Sequence, residues 1–135
     1  MFRLANKINH QLLNAQIRCI ASLILDVNGQ PIRQFYELEL ERKEIVFFAT
    51  SWTIVHPIDD KSPFFNMTRE EFNLSEPEFM IQLKVYDESY SQDTFTNTSY
   101  RKEEIIWNAT FEKILVSNEN TNFVNFTKFN EYIKL

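Results

Sequence analysis

Between residues 17 and 27 apolar and polar positions alternate: Ile17, Cys19, Ala21, Leu23, Leu25 and Val27 share one parity, and Arg18, Ser22 and Asp26 the other. Successive side chains of a strand point to opposite faces, so this pattern predicts a half-buried strand. The run stops at Asn28-Gly29, which holds the only glycine of the chain. That dipeptide predicts a hairpin, because a two-residue turn matched to strand twist needs positive φ at both positions. Pro31 bars the next segment from a central place in a sheet, since it has no N–H for a ladder. Further on, Ile32, Tyr36, Leu38 and Leu40 alternate with Arg33, Glu37, Glu39 and Glu41, a strand with one acidic face. That face is either solvated or lines something that favours negative charge.

Residues 45–58 are nearly continuous apolar sequence with β-branched side chains, which predicts a strand covered on both sides. A turn over residues 59–63 follows, and Thr68-Arg69-Glu70-Glu71 has the spacing of a capping box that opens a short helix through about Asn73. Phe79, Ile81, Leu83 and Val85 alternate with Gln82 and Lys84 as another strand; residues 87–93 read as a loop and 95–100 as a short strand. Ile105, Trp107, Ala109 and Phe111 oppose Asn108, Thr110 and Glu112, and Ile114 to Val116 continue outward. Residues 117–122 form a polar turn before 123–129 close the domain. Roughly seven or eight short strands, one short helix and no βαβ rhythm predict an all-β, immunoglobulin-like β-sandwich, one domain over 1–135.

Composition narrows the function. A chain of 135 residues buries roughly two-thirds of its unfolded surface, enough for its own core. Thirteen Phe among 15% aromatics suit a pleated, half-buried surface. The net charge of −5 and the scatter of 14 basic residues exclude nucleic acid as a partner, since phosphate backbones are held by clustered Lys and Arg. Cys19 has no partner for an internal disulfide, which fits a reducing compartment and a small buried strand residue. No apolar run approaches the ~20 residues that cross a bilayer, and the N-terminus lacks the apolar core of a signal peptide, so the chain as given reads as soluble. Asn-x-Ser/Thr triplets at Asn66, Asn73, Asn97, Asn108 and Asn125 read as chance in a chain this rich in Asn, Ser and Thr.

Catalytic chemistry finds little purchase. His56, Asp59 and Asp60 are candidate metal ligands or an acid–base pair, but with two histidines in the chain no second ligand cluster converges on them. The structural alternative is a hydrogen-bonded histidine at a strand end. Ser51, Ser62 and Ser99 lack the Gly-x-Ser-x-Gly setting that exposes a nucleophile, and one glycine excludes the usual phosphate-cradling loop. The reading is a protein that is not an enzyme, with no cofactor and no metal. Arg3 and Lys7, beside the apolar Phe2, Leu4 and Ile8, form a candidate lipid-facing basic edge, worth about 1 kcal/mol per charge at an anionic surface.

The stretch from Ser51 to Phe65 carries Trp52, His56, Ile58, Asp59, Ser62 and Pro63 in a spacing that resembles the W-x-x-x-H-x-I-D-x-x-S-P-L signature of the cytoplasmic domain of inward-rectifier potassium channels. The likeness covers essentially all 135 residues and is nearest to the prokaryotic branch. Met1-Phe2-Arg3-Leu4-Ala5-Asn6 resembles the family's M-x-R-x-x-N after the inner pore helix, and residues 12–18 its I/L-V-E-A-x-x-R strand. Residues 86–92 are similar to the S-D-E-T-T-A-Q run, which places the pore-girdling loop at about Tyr90 to Thr98. Glu103 to Trp107 matches D-D-I-x-W, and Phe126 to Asn130 matches Y-[ST]-x-F-[NH].

This resemblance implies a regulatory domain on the cytoplasmic face of the bacterial inner membrane, a homotetramer in the full-length channel, that extends the ion path below the pore. Gln92, Asp93, Thr94 and Phe95 would form the constriction and Glu112 would sit on the acidic wall, attracting potassium and the blocking cations magnesium and polyamines. Arg3 and Lys7 would belong to the gating linker, with anionic lipid as a further partner. Trp52, His56, Asp59, Ser62, Pro63 and Trp107 would be structural signature residues. Ion transport of the voltage-gated class is a further implication drawn. Several positions depart from the pattern: Ile8 and Asn9 replace a basic cluster that binds phosphoinositide, and Asn14, Gln30 and Thr110 replace two acids and a base. These departures imply weak phosphoinositide control and weaker cation block. Pore helices and filter are absent from the sequence, so Met1 reads as a cut after the second membrane helix. The rival reading is a free-standing immunoglobulin-like binding module.

Overall fold

A computed structural model describes residues 1–7, 11–117, 119 and 122–135. Ile8 and Asn9, and half of the turn expected over 117–122, lie outside the described residues. Two compact units divide the chain, Met1–Glu104 and Ile105–Leu135.

The first unit is organised by its longest strand, β2 (Leu12–Val27). It runs antiparallel to β6 (Glu78–Asp87), which in turn pairs with β7 (Gln92–Arg101). On its other edge β2 carries β3 (Gln30–Glu37) and, further along, β4 (Glu44–Phe48). The alternation read from the sequence is the burial pattern observed: Ala15, Ile17, Cys19, Ala21 and Leu23 are all buried. N-terminal to Ala15 the parity switches, since Leu12 is buried as well. A bulge explains it, because Leu13 pairs with Tyr86 but Gln16 with Lys84, leaving two residues opposite Val85. Asn14 absorbs the bulge at φ 49°. At the far end Val27 pairs with Gln30 across Asn28 and Gly29, both at positive φ, as the hairpin signal predicts.

Two segments between β3 and the signature turn depart from expectation. The acidic strand ends at Glu37; Leu38 and Leu40 are buried in an irregular stretch that continues along the edge of β2 through Leu38 N–H to the Cys19 carbonyl (2.8 Å) and Ile17 N–H to the Lys43 carbonyl (2.9 Å). Strand β3 itself is an exposed edge, with Phe35 open to solvent, the position that Pro31 tolerates. The apolar run 45–58 is likewise not one doubly covered strand. It bends at Ala49-Thr50 into β4 and β5 (Ser51–Ile54), and Val46 and Phe47 face solvent. Strand β5 pairs with β1 (Phe2–Ala5) as a separate ribbon. Asn6 stitches the bend, its amide nitrogen donating to the Phe48 carbonyl (3.0 Å) and its backbone N–H to Thr50 (2.8 Å).

The ribbon and the large sheet form two layers joined by aromatic rings: Trp52 packs edge-on against Phe48 and Phe2 against Tyr100, both pairs at 6.3 Å between centroids. The helix α1 (Arg69–Leu74) has both halves of its capping box, Thr68 Oγ1 accepting from Glu71 N–H and Glu71 accepting from Thr68 N–H. Its buried Phe72 joins Phe64 and Phe79 in a cluster with centroids 5.6 to 6.3 Å apart. The second unit holds two short antiparallel pairs, β8 (Ala109–Phe111) with β11 (Tyr132–Lys134), and β9 (Leu115–Ser117) with β10 (Asn122–Val124). The fold is the expected all-β sandwich with one short helix.

Candidate functional site

The signature stretch forms a lock. His56 Nδ1 lies 2.5 Å from the Glu39 carbonyl and Nε2 2.8 Å from Ser62 Oγ. A carbonyl only accepts, so the network assigns the proton to Nδ1, and Nε2 accepts from the Ser62 hydroxyl. Ser62 Oγ accepts in turn from Phe64 N–H (3.2 Å), and Asp59 shapes the turn by accepting from Lys61 N–H (3.0 Å). Trp52 is buried on β5, the strand that enters this turn, and the Phe64 ring stands edge-on to His56 at 6.3 Å. Both imidazole nitrogens are thus committed internally, which removes the acid–base reading of His56 with Asp59 and Asp60. Among the described residues no three His, Cys, Asp or Glu side chains gather to hold a metal ion.

The linker candidates divide. Arg3 lies in β1 opposite Thr53, next to the Leu4–Trp52 pair, so it is ladder-bonded to the signature strand. Lys7 is exposed beyond the end of β1.

The segment expected to be a long loop is mostly strand. Only Glu88 to Ser91 make the turn, with Asp87 accepting from Ser89 N–H (3.0 Å) and Ser91 at φ 49°. Gln92 to Phe95 begin β7 in register with β6, so the ladder orders Gln92 and Asp93, which polarity alone marks as loop, and extends the strand read over 95–100 back to Gln92. Alternation splits the four: Asp93 and Phe95 share one face, Gln92 and Thr94 the other. The first pair meets a residue that sequence reasoning placed only as strand filler. Lys84 Nζ lies 3.8 Å from Asp93 Oδ2 and 5.8 Å from the Phe95 ring centroid. Its signal was the polar parity of Gln82 and Lys84, which locates the face but not the partner.

In the second unit Glu112 follows β8, its N–H bonded to the Glu131 carbonyl (3.0 Å), and its Oε1 lies 4.0 Å from Lys128 Nζ. Trp107 is half-buried just before β8. On the acidic face Glu37 is paired as well. Arg18 grips Glu37 through two hydrogen bonds of 3.1 and 3.0 Å and holds its carboxyl below the usual range.

A potassium-channel domain is the class that this sandwich and signature lock define, and comparison with known proteins agrees. The model of the inward rectifier potassium channel C-terminal domain matches residues 1–135, and the chain belongs to that family. It is 30% identical over 118 residues to the inward rectifier potassium channel Kirbac3.1 of Paramagnetospirillum magnetotacticum, covering 87% of this chain and 40% of that protein. It is 26% identical to the human G protein-activated inward rectifier potassium channel 1, covering 96% of this chain and 27% of the relative. Human inward rectifier potassium channel 4 is also 26% identical, with 97% and 31% covered. The chain therefore spans two-fifths or less of the relatives it matches. The family is one of ion-channel domains and not of enzymes, and neither it nor these relatives support the voltage-gated class, which is set aside. No helix among the described residues is long and apolar enough to cross a membrane.

Proposed function

We propose that this chain is the cytoplasmic regulatory part of a homotetrameric inward-rectifier potassium channel, in which four copies extend the ion path below the membrane and transmit cytoplasmic signals to the pore. Both compact units work in this reading as one inward-rectifier-type domain. Its walls guide potassium and admit magnesium and polyamines as blockers, and anionic lipid at the cytoplasmic face of the bacterial inner membrane meets Arg3 and Lys7.

The observation that carries the reading is the contact between β1 and β7. The strand holding Arg3, which in this reading receives the pull of the pore helices, sets Phe2 against Tyr100 at the base of β7. Strand β7 also bears Asp93 and Phe95, so displacement of β1 passes to the wall of the path through packed rings and a ladder, a rigid-body mode of gating. The test is single-channel recording of the full-length channel. Phe2→Ala changes open probability while leaving unitary conductance intact, and Glu112→Gln weakens block by cytoplasmic magnesium. Unchanged gating in the first variant defeats the coupling role, and unchanged block in the second removes Glu112 from the ion path.

A further inference from the structure

Each carboxylate assigned to the ion path on the described face of its element stands beside a lysine: Asp93 beside Lys84 at 3.8 Å, and Glu112 beside Lys128 at 4.0 Å. We infer that Lys84 and Lys128 are the residues that set cation block in this channel, by cancelling the acids along its path. The inference rests on the function proposed above in one respect, that Asp93 and Glu112 face the ions.

Lys84 is placed by the β6–β7 register, directly across from Phe95 and diagonal to Asp93, and the Phe95 ring face supports its ammonium group. Its side chain is 42% exposed and that of Asp93 50%, so the pair meets water and contributes little to stability. Lys128 is likewise 42% exposed. What such pairs change is field. A four-fold ring of carboxylates around a narrow lumen concentrates multivalent cations, whereas a ring in which every carboxylate has an ammonium neighbour is neutral at that level. A single potassium ion passes such a ring, while magnesium and spermine, whose attraction grows with charge, are held weakly.

The experiment uses the full-length channel with magnesium or spermine applied from the cytoplasmic side. Lys84→Gln and Lys128→Gln each lower the half-blocking concentration by about tenfold, the smaller end of what a focused field does. Lys84→Arg and Lys128→Arg keep wild-type block, and Asp93→Asn cancels the gain in Lys84→Gln. Block unchanged in both Gln variants overturns the inference, as does a Lys84→Gln gain that survives Asp93→Asn. Asp93→Cys treated with a positively charged methanethiosulfonate separates the two levels. Conductance that falls on modification, with block indifferent to Lys84, sinks the lysine role alone; conductance that stays constant sinks the placement of β7 on the path. Cys19 does not interfere, being buried at 3% exposure.

Discussion

His56 Nε2 and Ser62 Oγ lie 2.8 Å apart and join the end of one strand to the turn that leads away from it. Because Nδ1 is already taken by the Glu39 carbonyl, the bond ties three separate segments: the edge stretch after β3, the exit of β5 and the turn before α1. The spacing of the family signature is the geometry of this bond. The imidazole needs six residues to return to the hydroxyl, Asp59 closes the turn between them, and Pro63 follows in a turn whose next N–H, at Phe64, goes to Ser62 Oγ.

Ser62→Ala leaves the imidazole nitrogen and the Phe64 N–H without their partner in a buried turn. The expected loss is about 1–3 kcal/mol of unfolding free energy, read by urea denaturation of the 135-residue chain. A variant as stable as the parent would show that water replaces the hydroxyl.

Asn14 sits at φ 49° in the bulge of β2. Asn14→Gly keeps stability within about 1 kcal/mol, whereas Asn14→Val, β-branched at positive φ, loses roughly 1–3 kcal/mol. Equal midpoints for the two variants would mean that the bulge moves to another residue.

Burial raises the Cys19 thiol to about 11 from its ordinary value near 9.0. The folded form therefore keeps its proton where the unfolded form has lost it. Stability from this group is complete below pH 9 and falls as pH rises from there through 11. In native protein at pH 8, Ellman's reagent leaves Cys19 unmodified for as long as the fold persists, and modification runs to completion in denaturant. Fast labelling of folded protein contradicts this.

Phe72→Ala removes the ring through which α1 packs on Phe64 and Phe79, at centroid distances of 5.6 and 6.3 Å. The expected cost is about 3–5 kcal/mol. Increased hydrogen exchange should centre on residues 64–75 and spare the β2–β6 ladder; uniform exchange throughout the chain would contradict that placement.

On the proposed function, isolated copies of this 135-residue chain are expected to associate weakly, because in a full-length channel the membrane helices supply the high effective concentration. Sedimentation velocity at micromolar protein should show mostly monomer, and a tight tetramer would contradict it.

Period-two alternation gave up β2 and β6, Asn28-Gly29 gave up the hairpin, and Thr68 with Glu71 gave up the helix start. Each is a local signal whose cause lies within a few residues, in pleat, turn dihedrals or capping. With a single glycine in the chain, asparagine fills left-handed positions at Asn14, Asn28, Asn66 and Asn108, a use of its short polar side chain. Two of these positions, Asn66 and Asn108, head Asn-x-Ser/Thr triplets. The bend at Ala49-Thr50 had no such local mark, because apolar β-branched residues continue across it and Asn6 stitches it from far along the chain.

The chain's own pattern determined the all-β class, the hairpin, the capped helix and the membership of a channel family, since alternation, turn chemistry and motif spacing are written in consecutive residues. Tertiary structure alone decided that His56 closes on Ser62 and Glu39, that Gln92 to Thr94 extend the strand read from Phe95 onward, and that Lys84 faces Asp93 while Lys128 faces Glu112. Those relations depend on strand register and chain crossing, and a partner brought in from another strand leaves no periodic trace along the sequence.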